Sequence, residues 1–539
     1  MERIWWKEGV VYQIWPRSFK DTNGDGIGDL QGIIQKLDYL KELGIDIIWL
    51  NPVYQSPMDD MGYDISDYRK IWPGFGTMDD FDQLLREVHR RGMRLIMDLV
   101  VNHTSDEHPW FLESKASRTN GKADWYIWRD EPNNWGSYFG GSAWTYVEDR
   151  RQYYLHTFSR KQPELNWECK AVREAVWEMM RFWGDKGIDG FRMDVINGLS
   201  KDTSFPDGRL WPTGFGDPTP FVKNGPKIHD YLREMNREVL STYDWLTVGE
   251  GSGNTPEEGL RYVGEDRHEL DECFIFTTME ALKPSPANGY RIEPLDLAAF
   301  KQERARWMTG LERGGWSSCY LENHDLVRSV SRFGKDNPLA AKMLATVVLF
   351  EEGTPYLYMG EELGMTNYPF TEKGQFHDLQ SKSDWDNMEK LGFSKDQILK
   401  VLQLQGRDNG RTPMQWTGGA EAGFTSGKSW IGVNPNKQTI NVESEEQDPD
   451  SVLSFYKQAI RIRRRHLAAQ YGSFSLVDKD NGQIYAWTRS VKGETLFVAC
   501  NFTDRMQPFP IPAGTKVLGN YDGILKDRLR PFEAVVVAC

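Results

Sequence analysis

What most limits the folds open to this chain is an alternation of short apolar runs with helical patterns, repeated eight times. Runs of β-branched and aromatic residues that read as strands fall at 10–15, 47–51, 94–101, 188–194, 245–250, 273–276, 317–322 and 354–359. Between them, apolar residues recur at helical spacing at 33–43, 79–91, 171–186, 228–240, 295–311 and 339–350, and 452–465 closes the series. Such alternation builds a parallel sheet with helices outside it. Eight units predict a closed α/β (β/α)8 TIM barrel, whereas an open sheet has no reason to stop at eight.

Two stretches break the rhythm. The segment 104–166, rich in Trp, Tyr, Gly, Asn and Ser, is too long for a structureless loop and reads as a small domain inserted after strand three. From 469 the chain changes to strand-like alternation punctuated by turns, which predicts a C-terminal antiparallel β-sandwich domain. The expected division is therefore a barrel of 1–103 and 167–468, an inserted domain at 104–166 and a β domain at 469–539. A further long stretch, 366–437, is expected at the barrel mouth.

The 79 acidic side chains outnumber 65 basic ones, for a net charge of −14, and no basic block occurs. Binding to nucleic acid or to an anionic membrane needs clustered Lys and Arg to replace counterions, so neither is expected as a partner. The charged start, Glu2 to Glu8, does not resemble a signal peptide. Five scattered cysteines without CxxC spacing indicate neither a disulfide framework nor a zinc site. These features predict a cytoplasmic protein, monomeric or weakly oligomeric. With 21 Trp, 22 Tyr and 26 Phe, rings are available to stack on sugars as well as to pack. Trp125, Trp128, Trp135, Phe139 and Trp144 of the inserted segment are the expected sugar-facing set.

Functional side chains of such a barrel sit at the C-terminal ends of its strands, and here those ends are charged. The third strand runs from Asp98 to Asn102-His103, the fourth carries Arg192 and Asp194, the fifth ends in Glu250, and the seventh leads into Asn323-His324-Asp325. Arg192 and Asp194, two apart, share one face of a strand. Two carboxylates about 5 Å apart at an effective dielectric near 20 repel by roughly 3 kcal/mol, about two pKa units. One can stay protonated while a neighbouring cation keeps the other ionised. That pairing is what retaining glycoside hydrolysis requires.

These stretches, in this order, resemble the α-amylase family of glycoside hydrolases, family 13. The likeness covers nearly the whole chain. Further matches at 5–14, 21–29, 62–68, 162–167 and 411–416 resemble its oligo-1,6-glucosidase and dextran glucosidase group. The resemblance implies an α-glucosidase acting on a small oligosaccharide, with Asp194 as nucleophile, Glu250 as general acid/base and Asp325 as the third carboxylate. It further implies that Arg192 keeps Asp194 ionised and that His103 and His324 donate to sugar hydroxyls. Tyr63 would stack under the ring, and Asp60 and Arg411 would clasp the terminal 4-hydroxyl and close the pocket, which gives exo action. Val195 after the nucleophile accompanies α-1,6 activity in this group, where Ala or Thr accompanies α-1,4 activity.

One departure concerns the leaving-sugar side. Glu250 is followed by Gly251-Ser252-Gly253 where relatives carry a bulkier residue, so a wider acceptor side is expected. The loop Asp21, Asn23, Asp25, Ile27 and Asp29 has the alternating oxygen ligands of a calcium loop, without the Glu at position twelve of an EF-hand. Related glucosidases bind Ca2+ there, so a structural Ca2+ is expected; catalysis is expected to need no cofactor. A transglucosidase or sucrose isomerase uses the same intermediate, but the Arg-Leu-Asp-Arg type loop of the isomerases has no counterpart in 290–296. A noncatalytic, transporter-associated relative would have a membrane helix and degraded catalytic positions, and this chain has neither.

Overall fold

A computed structural model describes residues 3–251, 253–280 and 282–539; Ser252 and, of the charged start, Glu2 lie outside the described residues. The eight strands are β1 (Val11–Ile14), β2 (Ile47–Leu50), β3 (Arg94–Val100), β4 (Gly190–Asp194), β5 (Leu246–Glu250), β6 (Glu272–Phe274), β7 (Ser318–Cys319) and β8 (Thr354–Tyr358). They pair in parallel in the order β6-β5-β4-β3-β2-β1-β8-β7, and a parallel bridge between Cys273 and Ser317 closes the ring. Most of these strands are buried along their whole length, as strands covered on both faces must be. In the β3–β4 register Asp98 lies opposite Arg192 and Val100 opposite Asp194. The strand pairing itself thus sets a carboxylate beside the guanidinium.

The outer helices fall where the spacing predicts, with two differences. The stretch 33–43 is split into Leu30–Gln35 and Leu37–Leu43. A helix at Pro256–Val263 follows β5; it is short and contains Gly259, which weakens the pattern by which helices are read. Elsewhere the ends are well signalled. Met78–Arg90 opens on a reciprocal Thr77–Asp80 capping box, and Lys170–Lys186 stops at Gly187 in the left-handed region. At the start of β4, Gly190 has φ +144°, and a Cβ there would lie 2.0 Å from the Leu246 carbonyl oxygen. Only glycine allows β4 and β5 to approach so closely.

The inserted segment holds a helix, Pro109–Ala116, and a three-stranded antiparallel sheet of Trp128–Arg129, Trp144–Val147 and Gln152–Leu155. Trp135, Ala143, Trp144 and Leu155 form its own small core, which also takes in Val222 from beyond β4. The stretch at the barrel mouth contains helices Leu379–Lys390 and Lys395–Gln405 over a separate cluster that includes Phe370, Phe376, Trp385 and Leu402.

The C-terminal part is a five-stranded antiparallel sheet of β9 (Ser473–Val477), β10 (Ile484–Val491), β11 (Glu494–Asn501), β12 (Thr515–Gly519) and β13 (Ala534–Ala538), ordered β9-β10-β11-β13-β12. Alternation decides its two faces. Tyr485 and Trp487 turn toward the barrel core, while Ile484 and Ala486 pack with Phe509 and Leu529 of the second, two-stranded layer. All five cysteines are free. Among the described residues no helix is long and apolar enough to cross a membrane.

Candidate active site

A cavity of about 470 Å³ opens at the C-terminal ends of the strands, lined among others by Asp60, Tyr63, His103, Asp194, Val195, Asn197, Glu250, Asp325 and Arg407. That volume suits a small ligand. Three carboxylates from β4, β5 and the segment after β7 therefore share one chamber.

At its base Arg192, 2 % exposed, makes three ion pairs. One Nη contacts Asp98 and lies 2.8 Å from Asp194 Oδ1, and the other lies 2.9 Å from Glu250 Oε2. Asp98 is anchored in turn by Trp49 and Asn51, and the guanidinium lies over the Trp49 ring. Glu250 Oε2 also accepts the Val195 N–H at 2.9 Å. Val195 sits at φ 44°, a left-handed conformation unusual for a β-branched residue. That strained turn aims its N–H back at Glu250.

Asp194 and Glu250 thus lie on either side of one guanidinium. Burial, then the Glu250 charge, push the Asp194 carboxyl well above the ordinary carboxylate range against the pull of Arg192. Retaining attack needs that carboxylate ionised, and Arg192 is the cation placed to favour the ionised form.

On Asp325, burial acts to raise the pKa, but His324, Arg407 and Arg411 overcome it and hold the carboxyl far below its usual range. Burial also pulls His324 well below its ordinary value, so this ring is neutral and the two guanidiniums carry the effect. Tyr63 lies parallel to His324, with ring centroids 5.4 Å apart, and lines the cavity. His103 lines the wall, and burial lowers its pKa to about 4. Its Nε2 lies 3.2 Å from the Tyr63 carbonyl oxygen.

Several expectations need correction. The guanidinium facing Asp60 is that of Arg407, 3.1 Å from Asp60 Oδ1, and not that of Arg411. Arg411 lies behind the wall over Trp15, donating to the His324 carbonyl oxygen and to Asp325. His324 does not line the cavity. Gln13 donates to its Nδ1 and its Nε2 lies 2.7 Å from Tyr63 Oη, so it supports Tyr63 instead of facing a sugar. Of the five expected rings in the inserted domain only Phe139 reaches the cavity, together with Tyr138, Phe158 and Trp211. Trp135 and Trp144 form that domain's core, while Trp125 and Trp128 pack against the main core. Finally, the space beside Gly251 is not vacant, because the Asn197 amide occupies it.

Sequence reasoning also missed Asp378, ion-paired to Arg407, and the buried Lys201–Glu164 pair at 2.7 Å. Asp378 and Arg407 lie outside any strand-end pattern. Arg407 stands four residues before Arg411, and only distance separates the two.

In the Asp21–Asp29 loop, Asp21 accepts N–H bonds from Asn23, Gly24 and Gly26, Asn23 accepts from Asp25, and Asp25 accepts from Ile27. The donor types suit a hard cation. Among the described residues no three His, Cys, Asp or Glu side chains gather as a metal cluster. A cation here would therefore depend on the Asn23 amide and the Ile27 carbonyl.

The α-amylase catalytic-domain family model matches residues 13–472. The chain belongs to the α-amylase family. It is a glycoside hydrolase, and its relatives make it an α-glucosidase. It is 50% identical to the oligo-1,6-glucosidase of Parageobacillus thermoglucosidasius over 99% of both chains. Among solved structures it matches a trehalose-6-phosphate hydrolase from Bacillus licheniformis with a TM-score of 0.94 and 43% identity, over 99% of this chain and 100% of that one. An isomaltulose synthase from Protaminobacter rubrum matches with a TM-score of 0.95 and 42% identity, over 100% of both chains. One framework thus carries a hydrolase and a synthase alike.

Proposed function

We propose that this α-glucosidase is retaining and exo-acting, and that it removes the non-reducing terminal glucose of short α-1,6-linked substrates such as isomaltose, isomalto-oligosaccharides and panose. The observation that carries the reading is the Arg192 guanidinium bridging Asp194 and Glu250 at the ends of adjacent strands, with a third carboxylate, Asp325, in the same cavity. Asp194 attacks the anomeric carbon as the bond to the leaving oxygen breaks, and Glu250 delivers the proton that oxygen needs. Glu250 then takes a proton from water, whose oxygen displaces Asp194 and restores both groups. The permanently ionised Asp325 stabilises the oxocarbenium-like transition state. Asp60 and Arg407 grip the terminal sugar hydroxyls, while Tyr63 lies under the ring. The α-1,6 preference draws on Val195 and on the similarity to oligo-1,6-glucosidases.

Product analysis on maltose, isomaltose, panose, sucrose, trehalose and dextran tests the reading, with Asp194→Asn as the blank. Isomaltose and panose are expected to be cleaved fastest, to α-glucose. Abundant isomaltulose or trehalulose from sucrose would overturn hydrolysis, and substantial activity of Asp194→Asn would overturn the nucleophile. The Asp21–Asp29 loop is proposed to hold a structural Ca2+ that takes no part in the reaction, and five unpaired thiols favour a reducing compartment.

A further inference from the structure

Asp378 stands at the start of the helix Leu379–Lys390 in the stretch at the barrel mouth, and its side chain caps the first turn. Its Oδ2 accepts the Ser381 N–H at 2.8 Å and the Ser381 hydroxyl at 2.6 Å. A cap asks for no more than that, and Ser or Asn serves it as well as Asp. The other oxygen, 3.4 Å from the Gln380 nitrogen, serves a second purpose. Arg407 Nε at 2.8 Å and Nη2 at 2.5 Å converge on this Oδ1. The chain fastens the contact from its other end too, because the Asp408 carboxylate accepts the N–H groups of His377 and Asp378 at 2.6 and 3.0 Å. Asp378 is 1% exposed and does not line the cavity. Burial acts to raise its pKa, but Arg407 and Arg411 hold it far below the usual carboxylate range, so it meets the guanidinium as an anion.

Arg407 needs such a hold. Its side chain is long and flexible, and two carboxylates that line the cavity compete for it: Asp325 Oδ1 lies 3.1 Å from Nη1 and Asp60 Oδ1 lies 3.1 Å from Nη2. Two nitrogens of the fork meeting one further carboxylate outside the cavity fix the plane of the guanidinium, and with it the direction in which its remaining N–H groups meet a ligand. We propose that Asp378 is a positioning residue for the hydrolysis, acting through Arg407 by holding the guanidinium between Asp60 and Asp325, where it grips the terminal sugar. The start of the mouth helix thereby becomes part of the glucose grip, and a contact outside the cavity sets how tightly that sugar is held. This inference rests on the α-glucosidase reading above.

The test is a double-mutant cycle read in KM for isomaltose. Asp378→Ser keeps a helix cap but is too short to reach Arg407, and is expected to raise KM about tenfold, the worth of one charge-assisted hydrogen bond. In the Arg407→Ala background the same substitution is expected to change KM by less than about twofold, because the group it acts through is already gone. Ser381→Ala weakens the cap on Oδ2 and leaves Oδ1 to Arg407; it is expected to lower Tm with KM unmoved. Should Asp378→Ser fail to fold, Asp378→Asn, of the same size, runs the same cycle. An unchanged KM in the single variant would overturn the inference. So would an equal rise with and without Arg407, or a rise in Ser381→Ala as large as in Asp378→Ser, since either assigns the effect to the helix alone. If the wild-type enzyme cleaves no isomaltose, the functional reading falls and this inference with it; if it does and the two effects multiply, only the inference falls.

Discussion

Arg192 Nη1 stands 2.8 Å from Asp194 Oδ1, on the same strand and two residues before it. Burial and Glu250 raise the Asp194 carboxyl, and Arg192 is the cation that opposes them. Replacing it with Gln removes that opposing charge, so Asp194 rises further. The reaction needs that carboxylate ionised, and kcat/KM climbs on the acid side as pH passes its pKa. The acid limb of Arg192→Gln is therefore expected to move to higher pH by at least about one unit, equivalent to about 1.4 kcal/mol. A pH–rate profile measures this. An acid limb that stays in place would mean that Arg192 does not control the nucleophile.

Arg407 and Arg411 should separate cleanly by readout. Arg407 lines the cavity opposite Asp60, so Arg407→Ala is expected to raise KM for isomaltose at least about tenfold as its hydrogen bonds to the sugar are lost. Arg411 is 1% exposed and touches Asp325, while Asp378 lies 3.7 Å away. Arg411→Met leaves the buried Asp378 and the partly exposed Asp325 undercompensated, and about 3 kcal/mol of stability is expected to go with it. Denaturant melts and steady-state kinetics on both variants decide. The reverse pattern would return the sugar contact to Arg411.

The barrel was legible in the sequence because it is local. Strand ends such as Asp98, Asp194 and Glu250 sit in short apolar runs, and parity along the strand puts Arg192 and Asp194 on one face. Asp325 was legible as a strand-end carboxylate although β7 shrinks to Ser318–Cys319 in the ladder. What escaped depends on distances between segments remote in the chain. No spacing rule prefers Arg407 to Arg411, because the choice is made by Asp60 arriving from the loop after β2. Trp135 and Trp144 have the same composition signature as cavity-facing rings, and only the packing of a small separate core removes them. Gly251 was noticed as a gap, yet that Asn197 fills it follows from two backbone turns meeting.

Val195 lies on the cavity wall next to the nucleophile. If its methyls set the linkage preference, Val195→Thr, similar in volume but with a hydroxyl, is expected to raise maltose turnover relative to isomaltose severalfold. The ratio of the two kcat/KM values is the measurement. An unchanged ratio would separate Val195 from linkage choice and leave its strained N–H contact to Glu250 as its only role.

Asp21 connects the proposed calcium loop to the barrel mouth through Thr425. With Ca2+ bound, the repulsion among Asp21, Asp25 and Asp29 is offset, and binding to the native state alone adds stability by mass action, about 2.7 kcal/mol at a hundredfold excess over Kd. A chelator is expected to lower Tm by several degrees, Ca2+ to restore it, and Asp21→Ala to abolish the response. No shift in the wild-type protein would count against a structural ion.

Lys201 ties three parts of the site together. Its Nζ lies 2.7 Å from Glu164 Oε2 of the inserted domain and donates to Asn102 Oδ1 at 3.0 Å and to the Gly198 carbonyl at 2.6 Å. Those two residues adjoin His103 and follow the nucleophile turn. Burial acts to raise the pKa of Glu164, but Lys201 and Thr157 bring it below its ordinary value. A depressed carboxylate contributes stability above its unfolded pKa and loses it as pH falls toward the folded one. In Lys201→Met that compensation is gone and burial raises Glu164, so keeping it ionised destabilises the fold. The variant is expected to lose about 3–5 kcal/mol near pH 7.5, with a smaller loss at pH 5, where Glu164 can take up a proton. Adding Glu164→Gln should recover part of the stability at pH 7.5, because the uncompensated charge is then absent. Denaturant melts of both variants at the two pH values test this. A penalty that is the same at pH 5 and 7.5 would assign the loss to packing rather than to the buried charge.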